Sequence, residues 1–169
     1  IITGFLGSGK TTLLNEIISL NPEKKFAIIE NEFGEIPIDN DLVIGADDGI
    51  YEFSNGCICC SLNSDLVNIF MKLARKAKKI DRILIETTGI ADPAPILLSL
   101  MKNPLLYSFF TIDSVICVVD AKNFEKEYRV SSEAKKQIAY ADSIILNKVS
   151  ITEPAKFNSV YESLQEINP

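Results

Sequence analysis

No apolar run in this chain approaches the roughly 18 residues that a membrane-crossing helix needs, so the sequence offers no transmembrane span. Its first residues carry neither the basic region nor the cleavage site of a secretory signal, and a cytoplasmic protein is expected. An excess of basic charge is also missing. The chain has 17 basic and 23 acidic residues, a formal charge of −6, which argues against a general nucleic-acid-binding surface. No repeat, low-complexity tract or linker divides the 169 residues, so one domain is expected. Cysteines are few and unevenly placed: Cys57, Cys59 and Cys60 lie together, and Cys117 sits alone in Ser-Val-Ile-Cys-Val-Val. A small secreted domain would spread its cysteines to staple distant loops. Three thiols within four residues suit a metal or redox site in a reducing compartment, whereas Cys117 reads as a buried small hydrophobe.

What is present alternates between strand-like and helical runs. Residues 1–3 read as the tail of a strand, 10–20 as a helix, 26–29 as a buried strand and 61–78 as a helix with a basic end. A strand at 83–85 ends at Glu86, a helix follows at 93–101, and an apolar strand at 112–119 ends at Asp120. A helix at 131–140, a strand at 143–146 and a last helix at 153–167 complete the pattern. Residues 31–49 are acidic and rich in turn formers, with no clear period. Continuous apolar strands alternating with helices predict an α/β fold, a mostly parallel sheet with helices on both faces.

Gly4-Phe5-Leu6-Gly7-Ser8-Gly9-Lys10-Thr11 fits G-x-x-x-x-G-K-[ST] at every fixed position. Glycines let successive backbone N–H groups turn inward around phosphate oxygens, and the following helix adds the positive end of its dipole. In this pattern Gly4, Gly7, Ser8, Gly9, Lys10, Thr11 and Thr12 hold a nucleoside triphosphate. Lys10 reaches the β- and γ-phosphates, and the Thr11 hydroxyl ligates Mg²⁺. The alternative is a chance glycine turn, against which the strand before and the helix after both argue. The chain is therefore read as a P-loop NTPase.

Such a site needs an acid near Mg²⁺. Glu86 in Ile-Leu-Ile-Glu-Thr-Thr-Gly supplies one, touching the metal through water or orienting the attacking water, unless it is only a surface carboxylate. Gly89 is placed to approach the γ-phosphate by its N–H. Asn147-Lys148-Val149-Ser150 lies where GTPases carry N-K-x-D. Asn147 would fix the loop, and the Lys148 stem would pack on the base. The guanine-reading aspartate is Ser150 here, and losing its paired charge-assisted bonds weakens guanine preference by about 1–3 kcal/mol. An incidental Asn-Lys pair is the bland reading.

The thiols of Asn-Gly-Cys57-Ile-Cys59-Cys60-Ser are soft ligands for Zn²⁺ or Cu(I). A fourth ligand would be water, a carboxylate such as Glu32 or Glu35, or a group from another protein. A redox thiol pair and inert core cysteines remain as alternatives. Glu30-Asn31-Glu32-Phe33-Gly34-Glu35 and Asp39 follow the second strand, where nucleotide switches lie. Asp39 is a candidate for the Mg²⁺ shell; a solvated acidic loop is the other reading.

Together these residues resemble the CobW-like metallochaperone GTPases, relatives of the urease and hydrogenase nickel-insertion GTPases. The resemblance rests on Thr-Gly-Phe-Leu-Gly-Ser-Gly-Lys-Thr-Thr-Leu-Leu-Asn, Asn-Glu-Phe-Gly-Glu, Gly-Cys-Ile-Cys-Cys, Glu-Thr-Thr-Gly-Ile-Ala-Asp-Pro, Val-Val-Asp-Ala and Ala-Asp-Ser-Ile-Ile-Leu-Asn-Lys. These motifs run in order from residue 3 to 148. The resemblance implies slow GTP hydrolysis coupled to delivery of zinc or cobalt to a client metalloprotein, with cobalamin synthesis among the family's settings and self-association governed by nucleotide. It assigns Cys57, Cys59 and Cys60 to the metal motif and Glu86 to the catalytic side; Glu32 is kept, from its place after the second strand, as the expected further zinc ligand. Family members continue into a C-terminal domain, often rich in histidine, and this chain has no histidine. The chain is thus expected to be a nucleotide-binding domain trimmed at both ends. A small-molecule kinase and a redox-sensing module are the competing functions.

Overall fold

The computed structural model describes residues 1–32, 43–45, 50–56, 64–75 and 80–169. Seven strands form one sheet: β1 (Ile2–Thr3), β2 (Phe26–Glu32), β3 (Val43–Gly45), β4 (Ile50–Gly56), β5 (Arg82–Glu86), β6 (Ile116–Asp120) and β7 (Ser143–Asn147). Their spatial order is β3-β4-β2-β5-β1-β6-β7. All neighbours pair in parallel except β3, which runs antiparallel to β4 at the edge. The register aligns Ile2 with both Glu86 and Ile116, and Asp120 with Asn147. The C-terminal ends of β5, β1, β6 and β7 therefore lie side by side, where open α/β sheets place their ligand sites.

Helices cover both faces, as the continuous apolar strands require. Helix α1 (Lys10–Ser19) lays Leu13, Leu14, Ile17 and Ile18 against Ile2, Phe26, Ile28, Leu84 and Val118. The alternate residues of the same strands face the other way. Ala27, Ile29 and Ile85 pack against α2 (Ser64–Arg75), α3 (Ala94–Lys102) and α4 (Pro104–Phe109). Cys117 and Val119 pack in a second cluster with α5 (Phe124–Val130), α6 (Ser132–Ala139) and α7 (Pro154–Ile167). Burial pushes the Cys117 thiol up to about 12, which suits the inert role expected of it. Among the described residues, no helix is long and apolar enough to cross a membrane.

Several expected bounds change. The segment expected to be irregular contains the end of β2 and all of β3, and β4 follows it directly. The strand expected from residue 112 begins only at Ile116, where β1 is available to pair with it. Helices α4 and α5 have no counterpart in the sequence reading. Leu14 is 1% exposed and seats the helix that leaves the phosphate loop. Leu14→Ala is expected to cost about 2–5 kcal/mol of stability, measured by urea unfolding.

Candidate functional site

The turn from β1 into α1 is built of backbone. Gly4, Gly7 and Gly9 hold φ of 141°, 70° and 106°. At Gly9 a side chain is excluded twice, by the left-handed backbone and by collision of a Cβ with the Asn147 amide nitrogen. Helix α1 then begins with no side chain capping its first turn. By contrast, Asn103 and Ser131 accept hydrogen bonds from the first amides of α4 and α6. Helices α3, α5 and α7 also start without a bond from their N-cap side chain, but only the start of α1 follows the turn with three glycines at positive φ, which leaves its backbone amides open to an anion.

Three further side chains gather there. Lys10 is buried, and its ammonium donates to the Phe5 carbonyl at 3.1 Å. Burial holds Lys10 below the usual lysine range, with the Glu86 charge acting the other way. Thr11 Oγ1 donates to Glu86 Oε1 at 2.8 Å, joining the first turn of α1 to the end of β5. Thr12, the next residue on α1, is exposed. Four buried side-chain polar atoms lack a partner among the described residues: Ser8 Oγ, Glu86 Oε2, Thr88 Oγ1 and Gln137 Oε1. Three of these belong to the phosphate loop or to the β5 end beside it. Buried polar atoms are nearly always paired, so this grouping marks a place shaped for a polar guest. A Mg²⁺ ion fits this donor set, since hard oxygens from a hydroxyl and a carboxylate suit it.

The segment after Glu86 is held from two sides. Gly89 passes so close to the phosphate loop that a Cβ there would collide with the Leu6 backbone nitrogen. From α6, Gln137 Nε2 donates to the carbonyls of Gly89 at 3.2 Å and Ala91 at 2.9 Å. Beside it, Lys136 forms a 2.7 Å ion pair with Asp92. Sequence reading missed both contacts, because nothing in a polar helix residue announces a partner 46 positions away.

The far side of the site is the end of β7. Asn147 Nδ2 donates to the Ser8 carbonyl at 2.8 Å, and its Oδ1 accepts from the Lys148 amide at 2.8 Å. This ties the expected base-recognition segment to the phosphate loop. Lys148 takes φ 60°, a conformation uncommon outside glycine, and its Nζ pairs with Asp120 Oδ2 at 2.7 Å. Asp120, buried at the end of β6, was expected only as a strand terminus. Burial pushes its carboxyl up. The side-chain bonds from Lys148 and Asn123 and the backbone bond from Lys122 outweigh that and hold it below its ordinary value. Ser150 is exposed within the 3₁₀ turn Val149–Ile151.

Asp39, Cys57, Cys59 and Cys60 lie outside the described residues, as does Glu35. Glu32 ends β2, where the register sets it beside Gly56, the residue before Cys57. Among the described residues, no three His, Cys, Asp or Glu side chains are grouped to hold a metal.

The family model for the CobW/HypB/UreG nucleotide-binding domain matches residues 1–169. The chain belongs to that family. Relatives of this CobW/HypB/UreG domain include the zinc chaperone YjiA of Escherichia coli, 38% identical over 99% of this chain and 54% of that protein. Another is the zinc-regulated GTPase metalloprotein activator 1 of Schizosaccharomyces pombe, 34% identical over 99% of this chain and 43% of that protein. The crystal structure of Zn(II)-bound YjiA GTPase from E. coli superposes with a TM-score of 0.72 at 34% identity, covering 96% of this chain and 52% of that one. This CobW/HypB/UreG domain thus spans about half the length of the relatives it matches.

The Asp120–Lys148 pair predicts a pH dependence. A carboxyl held below its ordinary value of 3.8 stabilises the fold above that pH, and the contribution is lost as pH falls through the folded value. Asp120→Asn is expected to cost about 1–3 kcal/mol at pH 7, because it leaves Lys148 without its counter-charge. It should also flatten the acid-side decline in stability. Urea unfolding of both proteins between pH 7 and pH 3 checks this.

Proposed function

We propose that this domain binds Mg²⁺–GTP, hydrolyses it slowly, and uses the nucleotide state to govern a zinc ion carried on its thiols to a client metalloprotein. The observation that carries the nucleotide reading is the grouping of Ser8 Oγ, Glu86 Oε2 and Thr88 Oγ1, buried and without a partner among the described residues, beside an uncapped helix start.

The roles follow from this chain's own groups. Backbone amides from Gly4 to Thr11, with Ser8 and Thr12 at the rim, hold phosphate oxygens. Lys10 leaves the Phe5 carbonyl and turns to the β- and γ-phosphates, and its partial burial strengthens that charge contact. Thr11 and Glu86 hold Mg²⁺, with Asp39 reaching the same shell. When bound, the ion neutralises charge on the phosphates and fixes their geometry. Gly89 offers its N–H to the γ-phosphate, and Asn147 and Lys148 frame the base.

Water attacks the γ-phosphorus, the bond to the β-phosphate oxygen breaks, and GDP and inorganic phosphate leave. Slow turnover fits Glu-Thr-Thr-Gly-Ile-Ala-Asp-Pro, which contains neither an arginine nor a glutamine to act on that water. Ser150 in place of an aspartate makes guanine preference weaker than a full N-K-x-D segment gives.

The metal side of the reading is supported by the relatives' names, zinc chaperone and zinc-regulated GTPase metalloprotein activator. Thiolates of Cys57, Cys59 and Cys60 are the proposed zinc donors, with Glu32 completing the set; cobalt is the other metal this donor set takes. The register that sets Glu32 beside Gly56, one residue before Cys57, supports including it. Leu6 and Ile90 are exposed apolar side chains on the two segments that meet at Gly89. A client, or a second copy in the triphosphate state, would cover them.

The test is competition for zinc against a chelating dye, on reduced protein, without nucleotide and with nonhydrolysable analogues of GTP or ATP plus Mg²⁺. The expected outcome is one zinc per chain, affinity lost in Cys59→Ser, and a shift of roughly tenfold or more with the GTP analogue. Zinc affinity that ignores Cys59 would remove the thiol carrier. Affinity equal in all nucleotide states would remove the coupling.

A further inference from the structure

Among the described residues, Gln137 Oε1 is the buried unpartnered atom that lies outside the phosphate loop and the β5 end. The residue is 1% exposed in the last turn of α6, and its amide nitrogen spans two carbonyls of the segment that follows Glu86. Its oxygen is buried with no donor among the described residues. For stability alone this is a poor choice: a half-satisfied buried amide costs more than an apolar side chain of the same shape. The cavity it lines is mostly apolar, with Phe124, Ala134 and Ile138 buried there beside the polar Glu127.

What the amide does achieve is local. It fixes the carbonyls of Gly89 and Ala91, and the Ala91 amide donates back to the Thr88 carbonyl at 3.0 Å. Lys136 grips the next residue, Asp92, whose other oxygen accepts from the Ala94 amide at 2.9 Å at the start of α3. Across the turn, Gly89 lies against the Leu6 backbone. The Gly89 N–H belongs to the Thr88–Gly89 peptide, whose carbonyl the Ala91 amide holds. Gln137, by fixing the Gly89 and Ala91 carbonyls, holds the turn that keeps that peptide in place, and the Leu6 backbone closes it from the other side.

We propose that Gln137 is a positioning residue that aims the Gly89 backbone at the γ-phosphate, so that α6 takes part in telling triphosphate from diphosphate. The inference rests on the nucleotide reading above. A diphosphate has no group to meet Gly89, so its binding is insensitive to the aim of that peptide; a triphosphate feels it directly.

The experiment compares Mg²⁺–GDP and a Mg²⁺-bound nonhydrolysable GTP analogue by calorimetric titration of the 169-residue chain and its Gln137→Met variant. Thermal unfolding is run alongside. The expected result is a roughly tenfold loss of affinity for the triphosphate analogue, unchanged affinity for GDP, and unfolding at or above the wild-type temperature. Equal losses for both nucleotides, or no loss for either, would overturn the assignment. Should Gln137→Met not fold, Lys136→Met decides, since its ion pair to Asp92 is exposed. A smaller loss confined to the triphosphate supports the inference, and an equal or absent effect refutes it. Wild-type protein that binds neither nucleotide would instead remove the nucleotide reading itself.

Discussion

The site hangs on two residues of backbone. Ile2 and Thr3 form the whole of β1, and that short strand is bonded to β5 on one side and β6 on the other. The Ile2 carbonyl accepts from Thr87 at 3.0 Å, the Ile1 carbonyl accepts from Ile116 at 2.8 Å, and the Thr3 and Thr87 hydroxyls meet at 3.0 Å. Because β1 lies between β5 and β6, the loop that leaves it emerges between Glu86 and Asp120, and α1 returns along the face that Leu14 covers. Every proposed contact with phosphate depends on that placement.

Around this frame the protein departs from the rules that make folds stable. The loop and its neighbours hold three glycines at positive φ, start a helix without a cap, bury an ammonium, and leave polar oxygens without partners among the described residues. Each costs stability in isolation. Consistent local choices hold elsewhere, in the Ser131 and Asn103 caps and in the apolar strands. Departures that gather at one place are a sign of function. The Asn147 side chain links two of these departures, joining the phosphate loop to the segment where Lys148 sits at φ 60°.

The parallel α/β class, the glycine turn after β1 and the positions of Glu86 and Asn147 at strand ends were legible in the sequence because each is carried by a local pattern: fixed glycine spacing, or an apolar strand with a polar residue at its end. Strand β4, Ile-Tyr-Glu-Phe-Ser-Asn-Gly, mixes polar residues into its second half and borders an acidic stretch, so its strand character was hidden. Helices α4 and α5 span six and seven residues, too short for an apolar stripe to repeat. The grip of Gln137 on Gly89 and the pairing of Asp120 with Lys148 were illegible for a different reason. They join residues 48 and 28 positions apart, and only the sheet order brings them together.

The central claim is that the strand ends of β1, β5 and β7 form a triphosphate site. Its most direct measurement is calorimetric titration of a Mg²⁺-bound GTP analogue into the chain and its Lys10→Ala and Gly9→Ala variants, with thermal unfolding to show that each is folded. The account predicts one nucleotide per chain, dependence on Mg²⁺, and loss of binding in both folded variants. Binding that survives in them, or none by the wild-type chain, would contradict it.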